Sequence, residues 1–310
     1  MPETVAILLA THNGERYIAE QLESIGRQTH RDWHLFVSDD GSSDGTLRVV
    51  EGFRSQNPDK VTIVSQGHRM GGAKENFFHL MRVVPRGFKA YCFCDQDDRW
   101  LPEKIEKTLA ALEAIGSESG DCPCLAFCDA RVVGADLGLI DSSFVSFTDV
   151  DPAATSLSEL LVQNPISGAE VMVNERALEL ASRPSNLEGI DMHDQWLGLV
   201  VSAFGKMQYV DEALFEYRQH GDNEVGAKKM GLGSIISKAR IAKSSLRKKE
   251  VQAARFVEEY RNILSRSQTL LLEGFASIEQ LSKIARIEFL RKNGVRMNGL
   301  LRNAGLYAFV

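Results

Sequence analysis

Three short apolar runs in the first hundred residues each end abruptly on a polar, acidic cluster. Residues 5–10 run into Thr11-His12-Asn13-Gly14-Glu15. Residues 33–38 stop at Asp39-Asp40-Gly41-Ser42, and residues 91–94 deliver Asp95-Gln96-Asp97-Asp98. Short, partly β-branched runs closed by turn residues read as buried strands. Helical spacing fills the gaps between them. Tyr17/Ile18, Leu22 and Ile25 follow the first run, with Glu15 placed in that helix's first turn. Ser43-Asp44-Gly45-Thr46 opens a second helix through Val49, Val50 and Phe53. Residues 61–64 read as another strand. After Pro102, Ile105, Leu109 and Leu112 share one helix face, Glu103 and Lys107 sit one turn apart, and Gly116 predicts the stop. Residues 125–127 read as a further strand. Strand–helix alternation of this kind predicts an α/β fold with a mostly parallel sheet and helices on both faces. In such sheets the carboxyl ends of the strands line the ligand crevice, and all three polar clusters fall there.

The run Asp95-Gln96-Asp97-Asp98 carries the most chemistry. Three carboxylates in four residues repel one another, and an apolar strand before them makes their charge costlier still. A cation relieves both. Oxygen ligands suit a hard divalent ion, Mg²⁺ or Mn²⁺, that also holds a phosphate. A strand end before a helix accounts for one or two of these aspartates without a ligand. Asp39 and Asp40 accept only, when ionised, and suit imide N–H or ribose hydroxyl donors; a turn with an N-cap explains them equally well.

Beyond about residue 150 the pattern changes. Asn164-Pro165-Ile166-Ser167-Gly168 reads as a loop. His193-Asp194-Gln195-Trp196 precedes a helix rich in Leu and Val up to Phe204. A carboxylate far along the chain would supply a general base for an acceptor hydroxyl. Asp194 is the candidate, with His193 beside it to tune or orient it; helix capping is the alternative for Asp194. Gly71-Gly72 with Lys74 reads as a phosphate loop or a plain one. His220, in Tyr217-Arg218-Gln219-His220-Gly221, is alone no more than a loop histidine.

Bulk properties bound the rest. No apolar run approaches the ~18–20 residues that span a bilayer, and no signal-peptide pattern opens the chain, so a cytoplasmic protein is expected. The C-x-C pairs Cys92/Cys94 and Cys122/Cys124 read as small apolar packing groups rather than zinc ligands. Charge is uneven. Residues 228–310 hold 17 Lys/Arg against 6 Asp/Glu, a net +11 in a chain of net −6. The division expected is residues 1–227 as the nucleotide-binding domain and 228–310 as a basic helical region. The segment 231–246 combines Lys238, Arg240 and Lys243 with an aliphatic stripe. Such a helix suits peripheral contact with an anionic membrane or a homodimer interface; nucleic acid is not the partner expected.

Together these motifs resemble one family. Ala10-Thr11-His12-Asn13-Gly14-Glu15, Asp39-Asp40-Gly41-Ser42 with Asp44-Gly45-Thr46, and Asp95-Gln96-Asp97-Asp98 with Trp100-Leu101-Pro102 resemble the inverting nucleotide-sugar glycosyltransferases of family 2, which have the GT-A fold. The resemblance runs from about Val5 to Gly226. His193-Asp194-Gln195-Trp196 and Tyr217 through Asn223 look like the rhamnosyltransferase branch that builds bacterial cell-surface polysaccharide. Arg99, usually apolar in that branch, and Glu224 depart from its pattern.

The resemblance implies roles. Thr11, Asn13, Glu15, Asp39 and Asp40 would lie about the nucleoside, and Lys74 and Asn76 by the diphosphate. Asp95 would face ribose or metal, Asp97 would ligate the metal, and His220 would touch the metal or the diphosphate. Gln96, His193 and Arg218 belong to the same donor site, and Asp194 would be the base of a single in-line displacement. The expected partners are a dTDP- or UDP-sugar donor and a glycan or lipid-linked glycan acceptor. Alternatives from other classes are a nucleotidyltransferase and a non-catalytic glycan-binding protein.

Overall fold

The computed structural model describes residues 3–221 and 235–310. The first half alternates as its apolar periodicity dictates: β1 (Val5–Thr11), α1 (Ile18–Gly26), β2 (Trp33–Asp39), α2 (Thr46–Gln56), β3 (Val61–Ser65), α3 (Ala73–Val83) and β4 (Ala90–Cys94). Then come β5 (Arg99–Trp100), α4 (Lys104–Ser119), β6 (Cys124–Gly134), β7 (Leu139–Asp141), α5 (Phe144–Thr148) and α6 (Leu157–Leu160). A 3₁₀ turn at Gly168–Glu170 leads to β8 (Met172–Val173), α7 (Glu175–Ala181), α8 (His193–Phe204) and the long β9 (Lys206–Gln219). Four helices finish the chain: α9 (Ile235–Tyr260), α10 (Arg266–Ala276), α11 (Lys283–Lys292) and α12 (Leu300–Phe309).

One nine-stranded sheet runs β3-β2-β1-β4-β8-β6-β9-β5, with β7 on β6. Strands β1 to β4 pair in parallel, while β8 runs antiparallel to both β4 and β6. Successive side chains of a strand point to opposite faces, and both faces here are covered. Val5, Ile7, Leu9, Cys92 and Cys94 pack with Ile18, Leu22, Ile105 and Leu109 of α1 and α4. Ala6, Leu8, Tyr91 and Phe93 pack with Phe77 and Phe78 of α3, with Trp196 of α8, and with Phe256 and Tyr260 of α9. Burying a large aromatic side chain contributes roughly 1.5–3 kcal/mol, so this second face ties the C-terminal helices to the sheet. The cysteines behave as apolar packing groups: all five are free and four are buried.

Three local expectations need correcting. Helix α4 does not stop at Gly116. It continues to Ser119, and Gly120, at φ 65°, ends it. An interior glycine costs only about 1 kcal/mol, and the buried Ile115 next to it holds the turn against the sheet. Glu15 is not in the first turn of α1, which starts at Ile18; Glu20 takes that place. His193 through Trp196 do not precede a helix but form the first turn of α8. The Glu103–Lys107 pair is present at 3.2 Å. Arg99 pairs with Glu216 across β5 and β9. Asp222, Asn223, Glu224 and the side chains of the basic stretch from Lys238 to Lys243 lie outside the described residues. No helix of the described residues is long and apolar enough to cross a membrane.

Candidate active site

A cleft of about 930 Å³ opens over the carboxyl ends of β1, β2 and β4. Its lining includes Thr11, Asp40, Asn76, Asp95, Gln96 and Asp97, and also His193 and Asp194. The volume falls in the range of ordinary small-molecule sites.

Parallel pairing places the acidic ends of β2 and β4 on either side of the end of β1, and local hydrogen bonds fix them. Gln96 accepts from His12 N at 2.9 Å and donates to His12 O at 2.8 Å, joining the ends of β1 and β4. Asp39 is fully buried and works as a turn residue. Its carboxylate accepts from Thr11 Oγ1 at 3.0 Å and from Ser42 N at 2.8 Å. Asp40 faces the loop after β3, accepting from Met70 N, from Gly71 N at 3.2 Å and from Gly72 N at 2.9 Å. A nucleoside would compete with those backbone groups for it. Gly71 and Gly72 sit at φ 116° and 138°, a backbone that glycine adopts without strain.

The acidic cluster divides by burial. Asp95 and Asp97 line the cleft. Asp97 Oδ2 lies 2.8 Å from His220 Nε2, and the His220 ring packs at a tilt against Tyr17, 4.7 Å between centroids. Asp98 turns inward and accepts from Arg218 N at 3.1 Å. Burial, with Asp97 and Asp95 near it, holds the Asp98 carboxyl well above the usual carboxylate range. Among the described residues no three His, Cys, Asp or Glu side chains converge on one point. A carboxylate such as Asp97, completed by ligand phosphates and waters, is the sparse donor set that Mg²⁺ accepts and that also suits Mn²⁺, with His220 paired beside it. The residues present therefore fit a divalent ion held jointly with a diphosphate.

Asp194, which lines the same cleft, sits in the first turn of α8. Its Oδ1 accepts from Gln195 N at 2.6 Å and its Oδ2 from Asn164 Nδ2 at 3.4 Å. Burial pushes its carboxyl up to about 6, against those hydrogen bonds and the Lys249 charge. That is the range a general base needs near neutral pH. His193 is stacked on Phe77 at 4.0 Å and on Phe93 at 5.6 Å. Both its ring nitrogens lack partners in the described structure, and burial pushes it down to about 3. His193 is thus a neutral aromatic spacer here and makes no hydrogen bond to Asp194.

Of the other candidates Asn76 lines the cleft, while Asn13, Glu15, Lys74 and Arg218 lie around it. Asn13 accepts from Ser43 N at 2.8 Å, and Glu15 holds Gly45 N at 2.9 Å and Arg48 at 2.8 Å. Asn76 donates to Ser38 O at 2.9 Å, bracing the end of β2. Lys74 donates to Ile190 O at 3.1 Å and pairs with Glu75. Arg218 is buried behind the acidic cluster and donates to Asp97 O at 2.7 Å, to Ala135 O at 2.8 Å and to Glu20 at 2.8 Å. Two cleft residues escape the sequence reading. Asn164 was visible only as part of a loop. Arg69 is the one Lys or Arg on the cleft wall among the described residues; its signal was a cation just past the end of β3.

The sheet order, with polar ends on β1, β2 and β4, is that of a GT-A-type α/β fold. Solved structures agree on the fold. A mannosyltransferase from Pyrobaculum calidifontis, in complex with GDP-Man and Mn²⁺, superposes with a TM-score of 0.55 at 16% identity, over 99% of this chain and 74% of that one. S. aureus TarS 1–349 in complex with UDP gives 0.54 at 16% identity, over 94% and 88%. Residues 6–124 match the model for Glycosyl transferase family 2. The dTDP-rhamnosyl transferase RfbG of Shigella flexneri is 29% identical over 226 residues, covering 71% of this chain and 74% of RfbG. The putative glycosyltransferase EpsE of Bacillus subtilis is 24% identical over 225 residues, covering 70% and 74%. Over residues 6–124 the chain is similar to glycosyltransferase family 2, and its fold is the GT-A-type α/β fold.

Proposed function

We propose that the chain is an inverting, metal-dependent glycosyltransferase that moves L-rhamnose from dTDP-rhamnose to a hydroxyl of a growing cell-surface glycan. The observation that carries the reading is one cleft lined both by Asp97, which pairs with His220, and by Asp194, raised to about 6. The name of the 29% identical relative supports the rhamnose donor. Asp97, paired with His220, would hold Mg²⁺ or Mn²⁺ together with the diphosphate, with Asp95 lining the same cleft, and the bound ion would neutralise charge on the departing diphosphate. Asp194 takes the proton of the acceptor hydroxyl. That oxygen attacks the anomeric carbon from the face opposite the diphosphate. The carbon–oxygen bond to the diphosphate breaks, and the sugar's configuration inverts. The acceptor reads best as a lipid-linked glycan, reached from the inner face of an anionic membrane.

A donor panel tests the reading, with dTDP-rhamnose, UDP-glucose, UDP-GlcNAc and GDP-mannose assayed with Mn²⁺ for release of the nucleoside diphosphate. Asp194→Asn keeps the shape and removes the base, so turnover falls by about 10²–10⁴-fold with donor binding near normal. Loss of donor affinity together with activity would make Asp194 a binding residue. Release of pyrophosphate would point to a nucleotidyltransferase. Donor binding without turnover on any acceptor would point to a glycan-binding protein.

A further inference from the structure

The segment that carries Asp194 is gripped from two sides. Lys74 of α3 donates to Ile190 O at 3.1 Å. On the other side α9 presses against it. Gly189, at φ 78°, leaves room for Val251, whose Cγ1 would be only 3.1 Å from an added Cβ. Asp191 N donates to the buried Gln252 Oε1 at 2.7 Å, and Lys248 Nζ lies 3.8 Å from Asp191 Oδ1. Residues three apart on a helix share a face, so Lys249 lies on the same side of α9 as Gln252, toward Asp191 and Asp194. We propose that Lys249, supplied by the C-terminal helix, is a positioning residue for the reaction, keeping the Asp194 carboxylate ionised and turned toward the cleft.

The electrostatics agree. Burial lowers the Lys249 ammonium, and the charges of Asp191 and Asp194 act on it in the opposite sense. Lys249 in turn opposes the upward push on Asp194 from burial and from Asp191. Among the described residues, the remaining groups facing Asp194 offer no rival cation. Asn164 is a neutral donor, His193 is held neutral, and Glu170, itself raised by burial, feels the Asp194 charge as a like one. The C-terminal region would therefore be part of the catalytic machinery and not only an appendage.

The proposal rests on Asp194 being the base, and the test separates the two. In Lys249→Met the acidic limb of kcat/KM should move up by about one pH unit, roughly a tenfold change at a fixed acidic pH. Donor KM should stay put, and Lys249→Arg should bring the limb back. A lowered melting temperature with an unmoved limb would mean that Lys249 only packs, and would overturn the proposal. On the wild-type enzyme, the Lys249 ¹⁵Nζ resonance should inflect as Asp194 titrates near pH 6, and Asp194→Asn should abolish that inflection. A flat resonance overturns the proposal even if Lys249→Met fails to fold. Full turnover in Asp194→Asn would instead remove the base reading, whatever the resonance shows.

Discussion

Gln96 closes a two-bond ring with the backbone of His12, at 2.9 and 2.8 Å. The ring fastens two neighbouring parallel strands at the ends that bear the acidic chemistry. It also explains Gly14: a Cβ there would stand 2.2 Å from Gln96 Oε1. Gln96→Leu leaves both His12 backbone groups without that partner, which costs about 1–3 kcal/mol when such groups are buried. Gly14→Ala displaces the Gln96 side chain and should act in the same direction. Both variants should melt lower and bind nucleotide more weakly. Wild-type melting and affinity in Gln96→Leu would reduce the ring to a by-product of packing.

Asp97 and His220 come from segments 123 residues apart and meet at 2.8 Å. Asp97→Ala should fold and lose Mn²⁺-dependent binding of a nucleoside diphosphate. His220→Ala should weaken it by about tenfold, as loss of an imidazole that holds or orients a metal typically does. Calorimetric titration of dTDP and UDP, with Mn²⁺ and with chelator, reads both effects. Equal affinity with and without Mn²⁺ in wild-type protein would remove the metal from the site.

The strand ends were legible because a buried run followed by turn residues has few other solutions. The fates of neighbouring carboxylates were not. Asp97 and Asp98 look alike in the sequence, yet Asp97 lines the cleft and Asp98 is buried against Arg218. The partner that decides this comes 120 residues later on β9, and no local pattern encodes it. For the same reason Lys74 looked like the phosphate cation while Arg69 is the one on the cleft wall. Helix phase decides which way Lys74 points, and α3 itself was not recognised. His193 was read for its nitrogens, but Phe77 and Phe93 make its ring a packing element.

Asp194 and His193 are adjacent and should pull stability in opposite directions with pH. The Asp194 carboxyl is raised from 3.8 to about 6. Between those values the folded protein holds a proton that the unfolded chain has lost, so this group's contribution falls as pH rises. The gap is worth about 3 kcal/mol at most. His193 is lowered from 6.5 to about 3. There the unfolded chain takes a proton that the folded protein refuses, so stability is lost as pH falls. Asp194→Asn should therefore melt above wild type at pH 7.5, with the difference shrinking toward zero at pH 4. A difference that is the same at both pH values would show that Asp194 is not raised. His193→Phe should fold and should resist acid better than wild type.

Arg69 is exposed on the loop that Asp40 holds and lines the cleft. A charged hydrogen bond to a ligand phosphate contributes about 1.5–3 kcal/mol. Arg69→Ala should thus raise donor KM by roughly 10–100-fold, with kcat changed much less. Lys74→Ala, acting through Ile190, should lower kcat more than it raises KM. The reverse pattern in steady-state kinetics would return the phosphate role to Lys74.

The basic C-terminal region also presents apolar side chains to solvent. Ile284 is 80% exposed, Leu300 91% and Leu301 81%. Lys283, Arg286, Arg291 and Lys292 lie on α11 with Glu288 as its single acid. Arg302 and Asn298 tie the start of α12 to the backbone of Thr148 and Asp149, beside the cleft residues Thr148 and Val150. Leucines inserted into a bilayer next to a basic helix would bring a lipid-linked acceptor to that rim. Removing α9 to α12 would strip Phe256 and Tyr260 from Trp196, so point substitutions are the cleaner probe. The full chain should co-sediment with anionic vesicles at low salt and release as salt screens the charges. Leu300→Ser with Leu301→Ser should cut that binding by about tenfold or more, since burying one leucine is worth about 1.5–3 kcal/mol. Turnover on a soluble acceptor should be unchanged. If the chain ignores anionic vesicles and instead sediments as a dimer that these two substitutions dissociate, the exposed leucines belong to a homodimer interface.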